Sequence, residues 1–240
     1  MSLSILIPAK NEEKIIIETI KSIIYSKLKR IDHEIIIIND FSEDGTEKKI
    51  LEFIKKNKKK NIRLINNKFP GLGSVIKIGI DKSKKDYICI FMADKSDSIN
   101  NMYDYYKIIK RYDYDAVFGS RFIKGSKIIN YPIRKYIFNR IFNNLCKILF
   151  LSKYNDYTNA FKIYRKKMLK SFFPIVSENF NVFLELPLKT VSRKYSYKII
   201  PISWVNRNKG KSKFIIKELT SKYFFTLLYC FFEKILLKKR

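Results

Sequence analysis

The sequence predicts an α/β fold of the doubly wound, Rossmann-like kind, with a mostly parallel central sheet. Three observations predict it. Short apolar runs alternate with amphipathic helical patterns through the first half of the chain. The 240 residues suit one α/β domain with an appendage, or two small domains. A hydrophobic fraction of 46% is enough for a real core, which argues against disorder.

Taken in order, Leu3–Ile7 reads as a buried strand and Glu12–Leu28 as an amphipathic helix. Glu34–Ile38 is a second strand, followed by a helix from about Asp44 to Lys58. Ile62–Ile65 and Tyr87–Met92 are the next strands, each followed by a helix, near Gly73–Lys82 and Asn101–Arg111. Asp115–Phe118 closes this series. After about residue 125 the pattern changes to helices over Tyr136–Leu151, Glu178–Lys194 and Lys213–Leu237, with a strand at Ile199–Val205. The apolar run Tyr223–Phe232 is about half the 20 or so residues a spanning helix needs. C-terminal amphipathic helices are therefore expected to complete the α/β unit.

In doubly wound sheets the ligand crevice lies beyond the carboxyl ends of the strands. Four segments fall there: Pro8–Glu13, Asn39–Thr46, Ala93–Asp97 and Gly119–Arg121. Carboxylates beside such a crevice make chemical sense with a divalent cation, because Mg²⁺ or Mn²⁺ bridges one or two carboxylates to phosphate oxygens. Asp94 with Ser96 or Asp97 could supply the ligands. Plainer readings stand beside these. Asp40–Gly45 also fits a turn with a helix cap, and Asp94 and Asp97 could cap the next helix. Gly71-Leu72-Gly73 lacks the Lys-Ser/Thr of a phosphate loop and reads as a tight turn.

Composition excludes several classes. The single histidine, His33, argues against a His-based triad or zinc site. Cys89, Cys146 and Cys230 are far apart and read as reduced core thiols. The opening residues lack a basic region and acidic residues follow at once, so no signal peptide is expected. The net charge of +28 attracts phosphates and anionic lipid surfaces. An AT-biased coding sequence, rich in Lys, Ile and Asn codons, is the other source of that charge. The basic residues are spread out and carry no nucleic-acid motif, so no nucleic-acid partner is expected. A sugar-phosphate nucleotidylyltransferase would need a Gly-rich basic loop after the first strand, which Pro8-Ala9-Lys10-Asn11-Glu12 is not.

The joint pattern resembles family 2 glycosyltransferases of the GT-A fold, particularly the dolichol-phosphate mannosyltransferase-like branch. Ile7–Glu12 is similar to the family's I-P-x-x-N-E, and Ile37–Thr46 to V-D-D-x-S-x-D-G-T. Phe91–Asp97 sits where D-x-D belongs, and Gly119–Phe122 resembles G-S-R-Y. Asp156–Arg165 resembles D-x-T-S-G-F-R-x-Y-R, and Pro201–Lys213 resembles P-I-x-F-x-x-R-x-x-G-x-S-K. The resemblance covers about Ser2 to Phe214. It implies a nucleotide-sugar-binding half over 1–125 and an acceptor-side half over 126–214. The C-terminal helix over 215–240 carries basic residues beside apolar aromatic faces and reads either as a membrane-interfacial helix or as an ordinary core helix or dimer contact. The resemblance places Pro8, Lys10 and Glu12 around the nucleoside and Asp40 near the base. Ala93 and Asp94 would meet ribose and diphosphate, with Asp94 a metal ligand. Arg121, Arg207 and Lys213 would hold phosphates. Met92 stands in place of the first D-x-D aspartate, Ser96 in place of a frequent Gln, Asn39 in place of an Asp and Ala160 in place of a Gly.

The expected activity is inverting transfer of a hexose from a nucleotide diphosphate sugar to a polyprenyl phosphate or a cell-envelope glycan or lipid, with Mg²⁺ or Mn²⁺. A sugar-hydroxyl acceptor would need a base, for which Asp156 and Glu185 are the candidates. Met92 also motivates an alternative: a weak or inactive, membrane-attached nucleotide-sugar binder. The expected location is cytoplasmic, peripheral on the inner face of the cell membrane at an anionic surface, with homo-oligomers open.

Overall fold

The computed structural model describes residues 2–57, 61–206 and 216–237. Five strands of the first half are β1 (Leu3–Ala9), β2 (His33–Asn39), β3 (Ile62–Asn66), β4 (Tyr87–Ile90) and β5 (Ala116–Ser120). Between them lie α1 (Ile16–Ile24), α2 (Thr46–Asn57), α3 (Leu72–Lys82) and α4 (Ile99–Tyr112). The second half adds β6 (Lys127–Ile129), α5 (Ile133–Phe150), β7 (Lys162–Arg165), α6 (Lys166–Ser171) and α7 (Val182–Ser192). It ends with β8 (Tyr197–Pro201), β9 (Ser203–Val205) and α8 (Ile216–Leu237). Seven strands form one sheet in the order β3-β2-β1-β4-β7-β5-β8, and β6 pairs with β9 in a second. The main sheet is parallel except at β7, which runs antiparallel to both β4 and β5.

The Ile-rich runs of β1 and β2 form strands because both faces of the sheet are covered. Alternate side chains enter opposite cores, as a period of two requires. Ile5, Ile7, Ile35 and Ile37 pack with α1, α2 and α4. Leu6, Ile36 and Ile38 pack with α3, α7 and α8. The three cysteines are buried and free, one in the first core and two in the second.

Three features differ from the sequence reading. The first helix stops at Ile24, and Ser26 caps a separate 3-10 turn by accepting from the Leu28 amide at 3.1 Å. The expected strand Ile199–Val205 is two strands, because the chain turns to bury Ile202, and the halves join different sheets. Strand β7 was not expected at all; it inserts between β4 and β5 and brings the segment before it to the crevice.

The C-terminal helix α8 packs into the domain through Tyr223, Leu227 and Cys230. Asn181 of the α7 N-cap donates to Thr226 Oγ1 at 2.9 Å, and Arg193 Nε to Glu233 at 2.7 Å. Its other face, with Phe224, Phe225, Leu228 and Phe232, is exposed. Among the described residues no helix is long and apolar enough to cross a membrane.

Beneath α8, Glu185 and Lys189 of α7 form an ion pair at 2.7 Å in which both side chains are fully buried. Glu185 also accepts from the amides of Val176 and Ser177, while Lys189 donates to the carbonyls of Phe172 and Pro174. The pair thus ties the 172–177 loop to α7. Removing one partner leaves an uncompensated buried charge, which costs about 3–5 kcal/mol. Glu185→Ala is expected to lower Tm by at least ~6 °C, measured by calorimetry; an unchanged Tm would show that the pair carries no stability.

Candidate active site

The residues that follow β1, β2 and β4 turn sharply. Asn11 (φ 52°), Phe41 (φ 55°) and Lys95 (φ 57°) are left-handed, a conformation that costs about 1 kcal/mol or more for a side chain such as Phe or Lys. Cross-links hold these turns. The Asn11 amide donates to Ser42 Oγ at 3.0 Å, Glu12 N to Thr46 Oγ1 at 2.8 Å, and Glu43 N to Asn11 Oδ1 at 2.8 Å. Asp44, within the Asp40–Gly45 segment, accepts from Thr46 N at 3.0 Å and so turns the chain into α2. Asn39 donates to Glu47 and Asn66 and accepts from Ser42 N, which makes an amide well suited there.

These turns open onto a cavity of about 900 Å³ between the strand ends and α5, α7 and α8. On the strand side Pro8, Lys10, Glu12, Asp40, Met92 and Asp94 line it, with Ser96, Asp97 and Arg121. On the helical side stand Phe138, Asn139, Phe142, Phe180, Phe183 and Tyr223. Tyr131, Thr158, Trp204 and Asn206 also line the wall. Asp40 accepts from Asn67 Nδ2 at 2.8 Å and Gly71 N at 3.0 Å through one oxygen. Gly71 has φ 115°, and an added Cβ would lie 2.6 Å from the Glu178 carbonyl, so only glycine fits that turn. Arg121 makes a buried pair with Asp156: Nε donates at 2.9 Å, the guanidinium NH2 at 2.7 Å, and the Arg121 amide adds a third bond at 2.9 Å. Burial opposes the Arg121 charge, but Asp156 overcomes that and holds the guanidinium above its ordinary range.

The model of "Glycosyl transferase family 2" matches residues 4–173. The chain belongs to that family. Among its curated relatives are a dolichol-phosphate mannosyltransferase of Pyrococcus furiosus (27% identical, covering 89% of this chain and 59% of the relative) and a dolichyl-phosphate beta-glucosyltransferase of Dictyostelium discoideum (28%, covering 72% and 56%). A polyprenol monophosphomannose synthase of Mycolicibacterium smegmatis is 21% identical over 75% of this chain and 69% of its own. The chain thus spans under two thirds of the length of the first two. In fold it matches glucosyl-3-phosphoglycerate synthase of Mycobacterium tuberculosis, solved with UDP (TM-score 0.68, 14% identity, 96% and 80% coverage). The same protein was solved with Mn²⁺, UDP and glucosyl-3-phosphoglycerate (TM-score 0.68, 16% identity, 95% and 79% coverage). The GT-A architecture expected of the sequence is the one found.

Within this family 2 chain the structure redistributes some expected roles. Pro8, Lys10, Glu12, Asp40, Asp94, Ser96, Asp97 and Arg121 share the cavity. Ala93 does not: its methyl packs in the core, and its carbonyl accepts from Thr19 at 2.6 Å. Asp156 is fully buried and held by Arg121, and Glu185 is fully buried and held by Lys189. Neither carboxylate lines the cavity, and each is held by a buried cation. Arg207 and Lys213 lie outside the described residues. Sequence reasoning missed the aromatic helical wall, Tyr131 and Trp204. It also missed Lys162, a fully buried amine that donates to the carbonyls of Tyr157 and Asn159 and that burial pushes down to about 7. The chain's only tryptophan, inside the closing motif, was the available signal for Trp204.

Among the described residues no three His, Cys, Asp or Glu side chains are grouped to hold a metal unaided. A hard divalent cation needs only one or two carboxylates when phosphates complete its shell. Among the described residues Asp97 Oδ1 is buried without a hydrogen-bond partner, and Asp94 lies close enough to repel it. Ser96 donates from N and Oγ to Asp94 Oδ1, fixing that carboxylate. This donor set fits such a cation.

Burial first, and then the Asp94 charge, pushes the Asp97 carboxyl up to about 8 from its ordinary 3.8. The native state keeps a proton that the unfolded chain releases across that window. The stability from Asp97 is complete below pH 3.8 and is lost as pH rises through about 8. Asp97→Asn removes this loss. In metal-free buffer its Tm relative to wild type should rise by roughly 10 °C or more between pH 4 and pH 9; a difference that stays constant across pH refutes the assignment.

Proposed function

We propose that the protein transfers a hexose, with inversion, from a nucleotide diphosphate sugar to a lipid-borne phosphate such as a polyprenyl phosphate. One observation carries this reading: Asp40, Asp94, Asp97 and Arg121 meet in one cavity whose opposite wall is aromatic. The names of the curated relatives support a polyprenyl-type phosphate acceptor, and the structural neighbours' UDP and UDP-glucose support a nucleotide-sugar donor.

Pro8, Lys10 and Glu12 would border the nucleoside, and Asp40 offers an acceptor to a base N–H. Asp94 and Asp97 would hold Mg²⁺ or Mn²⁺, which, when bound, neutralises charge on the departing diphosphate. Arg121 faces that diphosphate with a guanidinium that Asp156 orients and keeps charged. Asp97 takes up the ligand role that Met92 vacates, which favours an active enzyme over an inactive binder. The acceptor oxygen attacks the anomeric carbon from the side opposite the diphosphate, and the C–O bond to the diphosphate breaks with its electron pair. A phosphate acceptor is already ionised and needs no base. The locked states of Asp156 and Glu185 agree with such an acceptor better than with a sugar hydroxyl.

The exposed apolar side chains of α5 (Ile133, Ile137, Phe138, Ile141) and α8 (Phe224, Phe225, Phe232) lie on helices that also wall the cavity. Arg134, Lys135, Arg140 and Lys147 accompany them on α5. That combination fits a helix pair lying in an anionic membrane interface, which supports a peripheral membrane association.

With Mn²⁺, a UDP-, GDP- or dTDP-sugar should raise Tm and support transfer to polyprenyl phosphate. EDTA should abolish transfer, and Asp94→Asn should lower turnover on the order of 100-fold or more; no Mn²⁺-dependent binding of any of these sugars would sink the reading. The full chain should also float with vesicles containing anionic lipids, and Ile141→Glu with Phe225→Glu should weaken flotation while leaving Tm unchanged. A wild-type protein that stays wholly unbound would rule out the membrane part.

A further inference from the structure

We infer that Tyr131 and Trp204 form an aromatic corner that receives the ring of the transferred hexose; this rests on the proposed function and adds a sugar subsite to it. Both rings line the cavity. Their centroids are 5.1 Å apart and their planes inclined at 56°, so together they make a corner rather than a flat stack.

The backbone places this corner beside the candidate cation site. Val205 N donates to the Ser96 carbonyl at 3.0 Å, and Trp204 forms an isolated bridge with Asp97. The strand that carries Trp204 is thereby stitched to the loop that carries Asp94 and Asp97. Strand β6 pairs with the same strand, Ile128 opposite Trp204, and leads into Tyr131. The Arg121 guanidinium lies 5.5 Å from the Tyr131 centroid and 5.6 Å from that of Trp204. A diphosphate held between Asp94, Asp97 and Arg121 therefore leaves its attached sugar next to the two rings.

The chemistry fits that occupant. A pyranose has an apolar C–H face and a rim of hydroxyls. Aromatic faces carry negative quadrupole charge and attract polarised C–H groups while excluding water. Asn206 lines the same cavity and can meet a hydroxyl at the rim. A pyranose packed against the cavity side of the two rings would meet them through its C–H face.

The test compares nucleotide with nucleotide sugar. UDP against UDP-glucose, and GDP against GDP-mannose, are titrated calorimetrically into the full chain with Mn²⁺. Trp204→Ala should weaken the sugar nucleotide about 10-fold and leave the nucleoside diphosphate within about twofold, which also shows that the variant is folded. Trp204→Phe should keep most of the affinity. Tryptophan emission, which comes from Trp204 alone because it is the chain's single tryptophan, should shift with the sugar nucleotide and not with the diphosphate. Equal losses for both ligands, or no loss for either, overturn the corner. A change confined to the KM for polyprenyl phosphate assigns the rings to the acceptor and overturns it too. A wild-type chain that binds none of these nucleotides overturns the proposed function, and the corner with it.

Discussion

The buried pair of Arg121 and Asp156 is the constraint on which the site depends. It joins the end of β5 to the segment that leads into β7, and those two strands are neighbours in the sheet. Taking both charges out of water is costly, and the pair is tolerable because the contact is bidentate and the Arg121 amide satisfies Asp156 further. Lys162 adds a second buried cationic group nearby, held by the carbonyls of Tyr157 and Asn159. The segment between Asp156 and Lys162 is therefore pinned at both ends. That segment carries Thr158 and Asn159 into the cavity wall. The antiparallel strand β7 is what makes this arrangement possible, because it returns the chain toward the crevice instead of away from it.

The same electrostatics explain why Asp97 stands apart from the other carboxylates. Asp156 has a guanidinium, Glu185 an ammonium and Glu34 the Arg63 guanidinium. Among the described residues Asp97 Oδ1 has no hydrogen-bond donor. Fully satisfied buried networks stabilise a fold, whereas an orphaned carboxylate costs stability unless something binds to it. It lies on the cavity wall beside Asp94, where a bound cation would relieve that cost.

Much of the fold was legible because buried parallel strands write themselves as Ile and Val runs separated by helical periods. The five strands and four helices of the first half sit close to their expected positions for that reason. Strand β7 was not legible: Lys162 in its first position looks like a solvent residue, and its burial depends on carbonyls supplied by a loop. The break at Ile202 was hidden because Ile199–Val205 is apolar except at Ser203, and only the competition between two sheets divides it. At the site, motif spacing found the residues at the strand ends. It could not separate Asp94, which lines the cavity, from Asp156 and Glu185, which do not, because a sequence does not show which cation each carboxylate meets. The aromatic wall escaped for a related reason, since Phe142, Phe183 and Tyr223 look like ordinary core residues until the cavity beside them is seen.

Helices α5 and α8 give the remaining step. Phe142 and Tyr223 pack edge to face at 5.8 Å, Phe150 and Phe231 at 6.2 Å, and Lys234 donates to the Leu149 carbonyl at 3.1 Å. Both helices therefore run side by side in the same direction. Phe142 and Tyr223 line the cavity, while Ile141 and Phe224, one position away, are exposed. A helix turns by about 100° per residue, so adjacent positions serve different surroundings. In the proposed function this geometry puts the apolar end of the cavity and an apolar outer face on the same two helices. A phosphate on a long hydrocarbon chain could then keep its chain in the membrane interface while its charged end reaches Arg121. A free sugar acceptor would draw no benefit from that outer face, which is the physical reason a lipid-borne phosphate accounts for more of this molecule than a soluble acceptor does.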